Sequence, residues 1–255
     1  MEYFVDKKSI VREIWGKGDT ILFIFAGASA EFALNKAVDW LYFTGRLPAD
    51  PLKRLFSTIT YARQIVFFEK ETALKAIDKV TAIHSAVEAN RGAIIPDWAY
   101  RDVLFMLIHY SIASYELMER KLTSSEKEDV YNVFLRLGNR MNLKSLPLKY
   151  NQWLSARDEH LQNDLAKSLY TIDLYKQYKK HLGLMRYKIL LESQILVVPK
   201  KANELLGLGK ISLLTPLLGF YKLIRKMKPG QVLKYLILPA AYREEIRALD
   251  IEPFN

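Results

Sequence analysis

The chain contains no cysteine. That absence removes disulfides, zinc ribbons, iron–sulfur clusters, thiolate-ligated haem, covalently attached c-type haem and cysteine nucleophiles together. It also permits a reducing compartment. Histidine is scarce, with four residues in 255, so metal chemistry must run on these, on carboxylates or on tyrosine. The residues three before them are Thr81, Met106, Arg157 and Tyr178, which removes the Glu-x-x-His of di-iron bundles. The His-Glu-x-x-His of zinc proteases is missing as well. Gly16-Lys-Gly18 and Gly207-Leu-Gly209 lack the third glycine of a dinucleotide loop, and no Gly-Lys-Ser/Thr phosphate loop occurs. Gly27-Ala-Ser29-Ala-Glu31 fails the nucleophile elbow at its last position. These glycines read as turns or close helix packing. Long apolar runs are missing too. A membrane-spanning helix needs about 18–20 apolar residues, and the longest uncharged runs are 21–30, 103–115 and 211–221. The first 19 residues are charged throughout and lack the apolar segment of a secretory signal.

What is present is ordinary globular material: 50% hydrophobic and 26% charged residues. A chain of 255 residues is one large domain or two small ones at roughly 100–200 residues each, and no linker or repeat divides it. The net charge of +10 is unevenly placed. Between 176 and 234 stand 13 Lys and Arg against two acids, Glu192 and Glu204, while the rest holds 25 basic and 26 acidic residues. The last third therefore carries the field. Its basic residues alternate with Leu, Ile and Val instead of aromatics and glycines, so a nucleic-acid partner is not expected. The expected location is cytoplasmic, with peripheral contact to an anionic membrane as an added possibility of the basic span.

The hydrophobic spacing is helical nearly everywhere, and Asn-Gly or Asp-Gly hairpin signals are missing. It predicts an all-α, single multi-helix domain over 1–255. Helices are expected at 9–15, 20–42, 51–68, 71–90, 96–120, 123–141, 149–162 and 164–181. Three or four more follow, punctuated by Pro199, Gly207, Gly209, Pro216, Pro229 and Pro239. Asp50 before Pro51 reads as an N-cap with proline at the first helical position. Thr123 and Glu126 have capping-box spacing.

Two histidines stand where apolar residues belong. His84 lies on the stripe Ile77, Val80, His84, Val87, one face of a helix turned to the core. His109 lies in the apolar stretch 103–115. Each reads either as a hydrogen-bonded core histidine or as a neutral metal ligand. His160 and His181 lie among charges and read as solvated surface residues. Arg54, Thr58 and Tyr61 form a polar line along one face of an otherwise apolar helix, which leaves them little solvent to face.

These stretches carry a resemblance. Asp50-Pro-Leu-Lys-Arg54-Leu-Phe-Ser-Thr58, then Val66-Phe-Phe, Ala73 and Ala82-Ile-His84-Ser-Ala-Val87 resemble the MpaB-type oxygenases, which include the latex clearing proteins or rubber oxygenases. Val103-Leu-Phe-Met-Leu-Ile-His109, Gly138-x-x-x-Asn142-Leu-x-x-Leu-Pro147 and Ile195-Leu-Val-Val-Pro199 follow in the family's order, and the likeness runs over about 20–208. It implies an all-α protein that encloses noncovalent haem b, with His84 as the axial iron ligand. Arg54 and Thr58 map to the polar pair beside the haem, and His109 falls where the family's Trp-Val-His helix runs. Rubber-cleaving members have a basic residue just before the threonine. Ser57 stands there here, so rubber itself is not implied. The implied catalytic carboxylate has only two candidates, both by location: Glu31 and Asp39.

The resulting expectation is a haem-dependent dioxygenase that acts with O2 on a C=C bond of a small, apolar, isoprenoid-like substrate. Arg54 and Thr58 would serve catalysis, His84, Arg54, Thr58 and His109 would bind the cofactor, and His84 would hold the metal. The alternatives are a haem-binding protein without turnover and a cofactor-free helical module that binds membranes or acidic partners.

Overall fold

Local signals set most of the element boundaries in the structure, a computed structural model that describes residues 2–45 and 49–225. Those residues form eleven helices: α1 (Ile10–Trp15), α2 (Gly18–Leu34), α3 (Asp39–Phe43), α4 (Pro51–Phe67), α5 (Lys70–Arg91), α6 (Asp97–Met118), α7 (Ser124–Arg140), α8 (Tyr150–Asn163), α9 (Leu169–Val197), α10 (Lys200–Leu206) and α11 (Thr215–Ile224). Among the described residues there is no strand, only two isolated bridges. The all-α expectation therefore stands.

Asp50 caps α4 by accepting from the Lys53 amide at 2.9 Å, with Pro51 in the first turn. Thr123 and Glu126 form the reciprocal capping box that starts α7. Gly92, at φ 67°, ends α5 in the left-handed conformation that glycine adopts without steric cost.

Two expected elements are corrected. The helix expected over 20–42 ends at Leu34 and resumes as α3. Asn35 causes the break: its side chain accepts from the Ala37 amide at 2.8 Å, which gives the backbone a turn in place of the helical ladder. The helix expected over 164–181 starts instead at Leu169, on a Ser168–Thr171 capping box. It then passes a kink at Gly183 and continues to Val197. The positive φ of 73° at Gly183 lets the two helical halves join there. Pro229 and Pro239 lie outside the described residues.

Helix α2 is the axis of the fold. Thirteen of its 17 residues are buried, and it packs against α6 and α9. A helix apolar on all sides has no solvent face and belongs at the centre of a bundle. Gly27 makes the α2–α6 approach possible, because a Cβ there would lie 2.2 Å from the Tyr110 ring. The α4–α5 pair packs together on one side of this centre.

Candidate active site

The α4–α5 pair does not close fully onto the central helices. Between them lies a cavity of about 1260 Å³, larger than the roughly 300–1,000 Å³ of common ligand sites. Its lining is mostly aliphatic and aromatic, drawn from α2, α4, α5, α6, α9 and α11. Polar groups gather on the α4–α5 wall.

That wall brings together three of the residues singled out in the sequence. Arg54, Thr58 and His84 all line the cavity, with Tyr61 beside them. Their helices explain the meeting. The i, i+4 spacing on α4 puts Arg54 over Thr58, and the Arg54 guanidinium donates to Thr58 Oγ1 at 3.1 Å and to Ser57 Oγ at 3.3 Å. On α5 the stripe of Ile77, Val80, His84 and Val87 turns to the same space. Burial lowers the His84 pKa, the Arg54 charge lowers it further, and Glu88 opposes both. His84 is therefore a neutral imidazole at neutral pH. Its Nδ1 is shut off from solvent and has no hydrogen-bond partner. Tyr100 packs edge-on against the ring at 5.2 Å between centroids and donates to Glu88 at 3.2 Å.

The other sequence candidates lie elsewhere. His109 is not among the cavity-lining residues. Its ring hydrogen-bonds the Val197 backbone, and its pKa is pushed down to about 4, first by burial and then by the Arg157 charge. Neither Glu31 nor Asp39 lines the cavity. Asp39 pairs with Arg91 at 2.6 Å on the rim.

Glu31 belongs to a buried polar cluster on the far side of α2. It accepts a bidentate pair of hydrogen bonds from Arg157 and a bond from Tyr110 at 3.0 Å. Its oxygen is 3.4 Å from His160 Nε2, and His160 Nδ1 lies 2.7 Å from Asp102 and 3.2 Å from Asp164.

This overturns the solvated reading of His160, which is buried. Burial disfavours its charge, but hydrogen bonds to Asp102 and Glu31 outweigh that and raise its pKa to about 9. Burial likewise opposes ionised Glu31, yet Arg157 and His160 hold its carboxyl at about 2. Ligand atoms of Asp102, His160 and Asp164 lie within 4.8 Å of one another, with the imidazolium proton as the cation between the carboxylates. His181 is half-buried, with Nδ1 4.0 Å from Asp50, and so is not freely solvated either.

Sequence reasoning missed the cavity residues Tyr100, Arg186 and Asp19. For Tyr100 a signal existed: His84 and Glu88 stand at i, i+4 on α5, and a phenol from the following helix bridges to them. Asp19 had none, because its partners, Tyr221 at 3.2 Å and Arg225 at 3.5 Å, lie more than 200 positions away.

The site is thus a large, mostly apolar cavity within a helical bundle, with Arg54, Thr58 and His84 together on one wall. The chain belongs to the family described as ER-bound oxygenase mpaB/B′/rubber oxygenase, catalytic domain, which it matches over residues 15–225. No curated protein and no solved structure matches the chain.

Proposed function

We propose that this oxygenase uses haem b held by His84, and that it acts with O2 on a C=C bond of an isoprenoid-like hydrocarbon. One observation carries the reading: His84, a neutral imidazole, lines a large and mostly apolar cavity on the same wall as the polar pair Arg54 and Thr58. The donor set agrees with the group. A neutral imidazole is the common ligand of noncovalent haem, and the chain has no thiolate to compete with it. The cavity also exceeds what a small hydrocarbon alone requires.

When bound, the haem supplies activation of O2, and the protein supplies orientation and polarity. Arg54, held against Thr58 Oγ1 at 3.1 Å, would offer its guanidinium on the same wall as His84, either to oxygen or to a haem carboxylate, while the Thr58 hydroxyl donates to the Arg54 carbonyl at 3.2 Å and positions it. The aliphatic lining of α2 and α6 excludes water and aligns the hydrocarbon. His109 stands outside this wall, hydrogen-bonded to Val197, and has no part in the reading. The apolar substrate and the basic span 176–234 favour a cytoplasmic protein that meets an anionic membrane at its surface, without a nucleic-acid partner.

The test is an absorption spectrum of the purified protein after haem addition, as isolated and after dithionite, followed by O2 uptake with a polyprenoid. A Soret band and uptake are expected. A band without uptake would leave a haem carrier or sensor, and no band would leave a cofactor-free module. His84→Ala should lose the Soret band while its circular dichroism stays helical. Full haem retention with an unchanged Soret maximum in that variant would remove His84 as ligand.

A further inference from the structure

Helix α11 has two jobs that do not fit an ordinary surface helix. Leu214, Leu217, Leu218 and Tyr221, spaced i, i+3, i+4 and i+7, line the cavity. On the neighbouring face Leu213, Phe220 and Leu223 are 76%, 63% and 75% exposed, with Ile211 exposed just before them. Leu217 belongs to both sets, so the cavity reaches the surface at this helix. Soluble proteins scatter exposed apolar side chains singly. Several within one helix and its lead-in mark an interaction surface.

The helix is fixed at its ends and little elsewhere. The Leu213 amide donates to Glu192 at 2.6 Å, Tyr221 donates to Asp19, and Arg225 donates to Glu119 at 2.6 Å.

The charge around this face selects the partner. The acids that meet this segment are engaged within the chain: Glu192 by the Leu213 amide, and Asp19 and Glu119 by Arg225 at 3.5 and 2.6 Å. Lys210 and Lys222 flank the apolar residues on either side. Exposed leucine and phenylalanine bordered by lysine is the composition of helices that lie in the headgroup boundary of an anionic bilayer.

We propose that α11 and its lead-in, residues 210–223, dock on an anionic membrane and set the cavity mouth at Leu217 against the lipid. An apolar substrate would then pass from the acyl layer to the cavity without crossing water. That purpose rests on the oxygenase reading. The docking itself does not.

The test is flotation of the full chain with vesicles of phosphatidylcholine alone, or of equal parts phosphatidylcholine and phosphatidylserine, at low and high salt. Binding is expected only to the phosphatidylserine vesicles and should weaken with salt. Phe220→Asp with Leu223→Asp should lower the bound fraction about tenfold per side chain, because each loses burial of its apolar surface. Lys210→Glu with Lys222→Glu leaves the apolar packing intact and should lower binding and its salt dependence together, which keeps the proposal testable if the first variant misfolds. Equal binding to both vesicle types, or binding unchanged in both variants, would overturn the proposal. So would a wild-type dimer that Phe220→Asp converts to a monomer, since a second copy would then cover this face. Flotation needs neither haem nor turnover, so a negative result leaves the oxygenase reading intact. A missing Soret band likewise leaves a positive flotation result intact.

Discussion

Arg54 and Thr58 stand on the cavity wall because α4 carries them one turn apart and α5 faces them with His84. The Thr58 hydroxyl accepts from the guanidinium and donates to the Arg54 carbonyl, which orients the guanidinium before any ligand arrives. Removal of a preorganised donor of this kind costs about 10²–10³ in kcat. Arg54→Ala and Thr58→Ala should therefore keep a Soret band and lose about a hundredfold or more in O2 uptake. Wild-type uptake rates in both variants would reduce this wall to packing.

Glu31 poses the opposite case, a carboxylate that supports the fold from behind α2. Glu31→Gln would leave Arg157 buried without its bidentate counter-charge, while His160 keeps Asp102. Loss of one partner from a buried ion pair costs about 3–5 kcal/mol, and chemical denaturation should show that loss. Stability equal to the wild type would mean that water or another acid replaces the carboxylate.

At the scale of the elements, the central contact is α2 against α6, and Gly27 sets its distance. A methyl group there would lie 2.2 Å from the Tyr110 ring, whose hydroxyl is held by Glu31. The ring cannot turn away without loss of that hydrogen bond. Gly27→Ala should cost about 1–3 kcal/mol by overpacking, although alanine favours the helix more than glycine does. At roughly 2–4 °C per kcal/mol for a chain of this size, the melting temperature should fall by several degrees. An unchanged or raised melting temperature would show that α6 can move aside.

The whole molecule's response to pH follows from the buried cluster. His160 is raised to about 9 in the folded state by Asp102 and Glu31, against about 6.5 unfolded. Its contribution is full below about 6.5 and is lost as pH rises through about 9. Glu31 is held at about 2 by Arg157 and His160, against about 4.3 unfolded. Its contribution is full above that value and is lost as pH falls towards about 2. Buried His109, at about 4 when folded against about 6.5 unfolded, adds a loss that begins as pH falls below about 6.5, so denaturation midpoints should peak near 6.5 and decline on both sides. The alkaline decline should vanish in His160→Gln. An alkaline limb that persists in this variant would belong to other groups.

Much of the fold was legible because its signals are local. Proline after Asp50, the Thr123 and Glu126 pair, Gly92 and helical periodicity act within one turn, and they placed α4 to α7 within a few residues. The His84 stripe and the Arg54–Thr58 step were legible for the same reason, since each repeats along a single helix. The end of α2 was missed because Asn35 competes for its own backbone inside an apolar run. His160 was misread because its neighbours in sequence are charged, and that pattern is the same for a solvated face and for a buried ion cluster. The partner that decides between them, Glu31, is 126 positions from Arg157, and only the packing of α8 against the central helices brings the charges together. The sequence by itself determined the helices, the excluded chemistries and the polar line. Tertiary structure decided which polar residues share a cavity and which are buried as ions, because that depends on charges and surfaces from distant segments that are desolvated together.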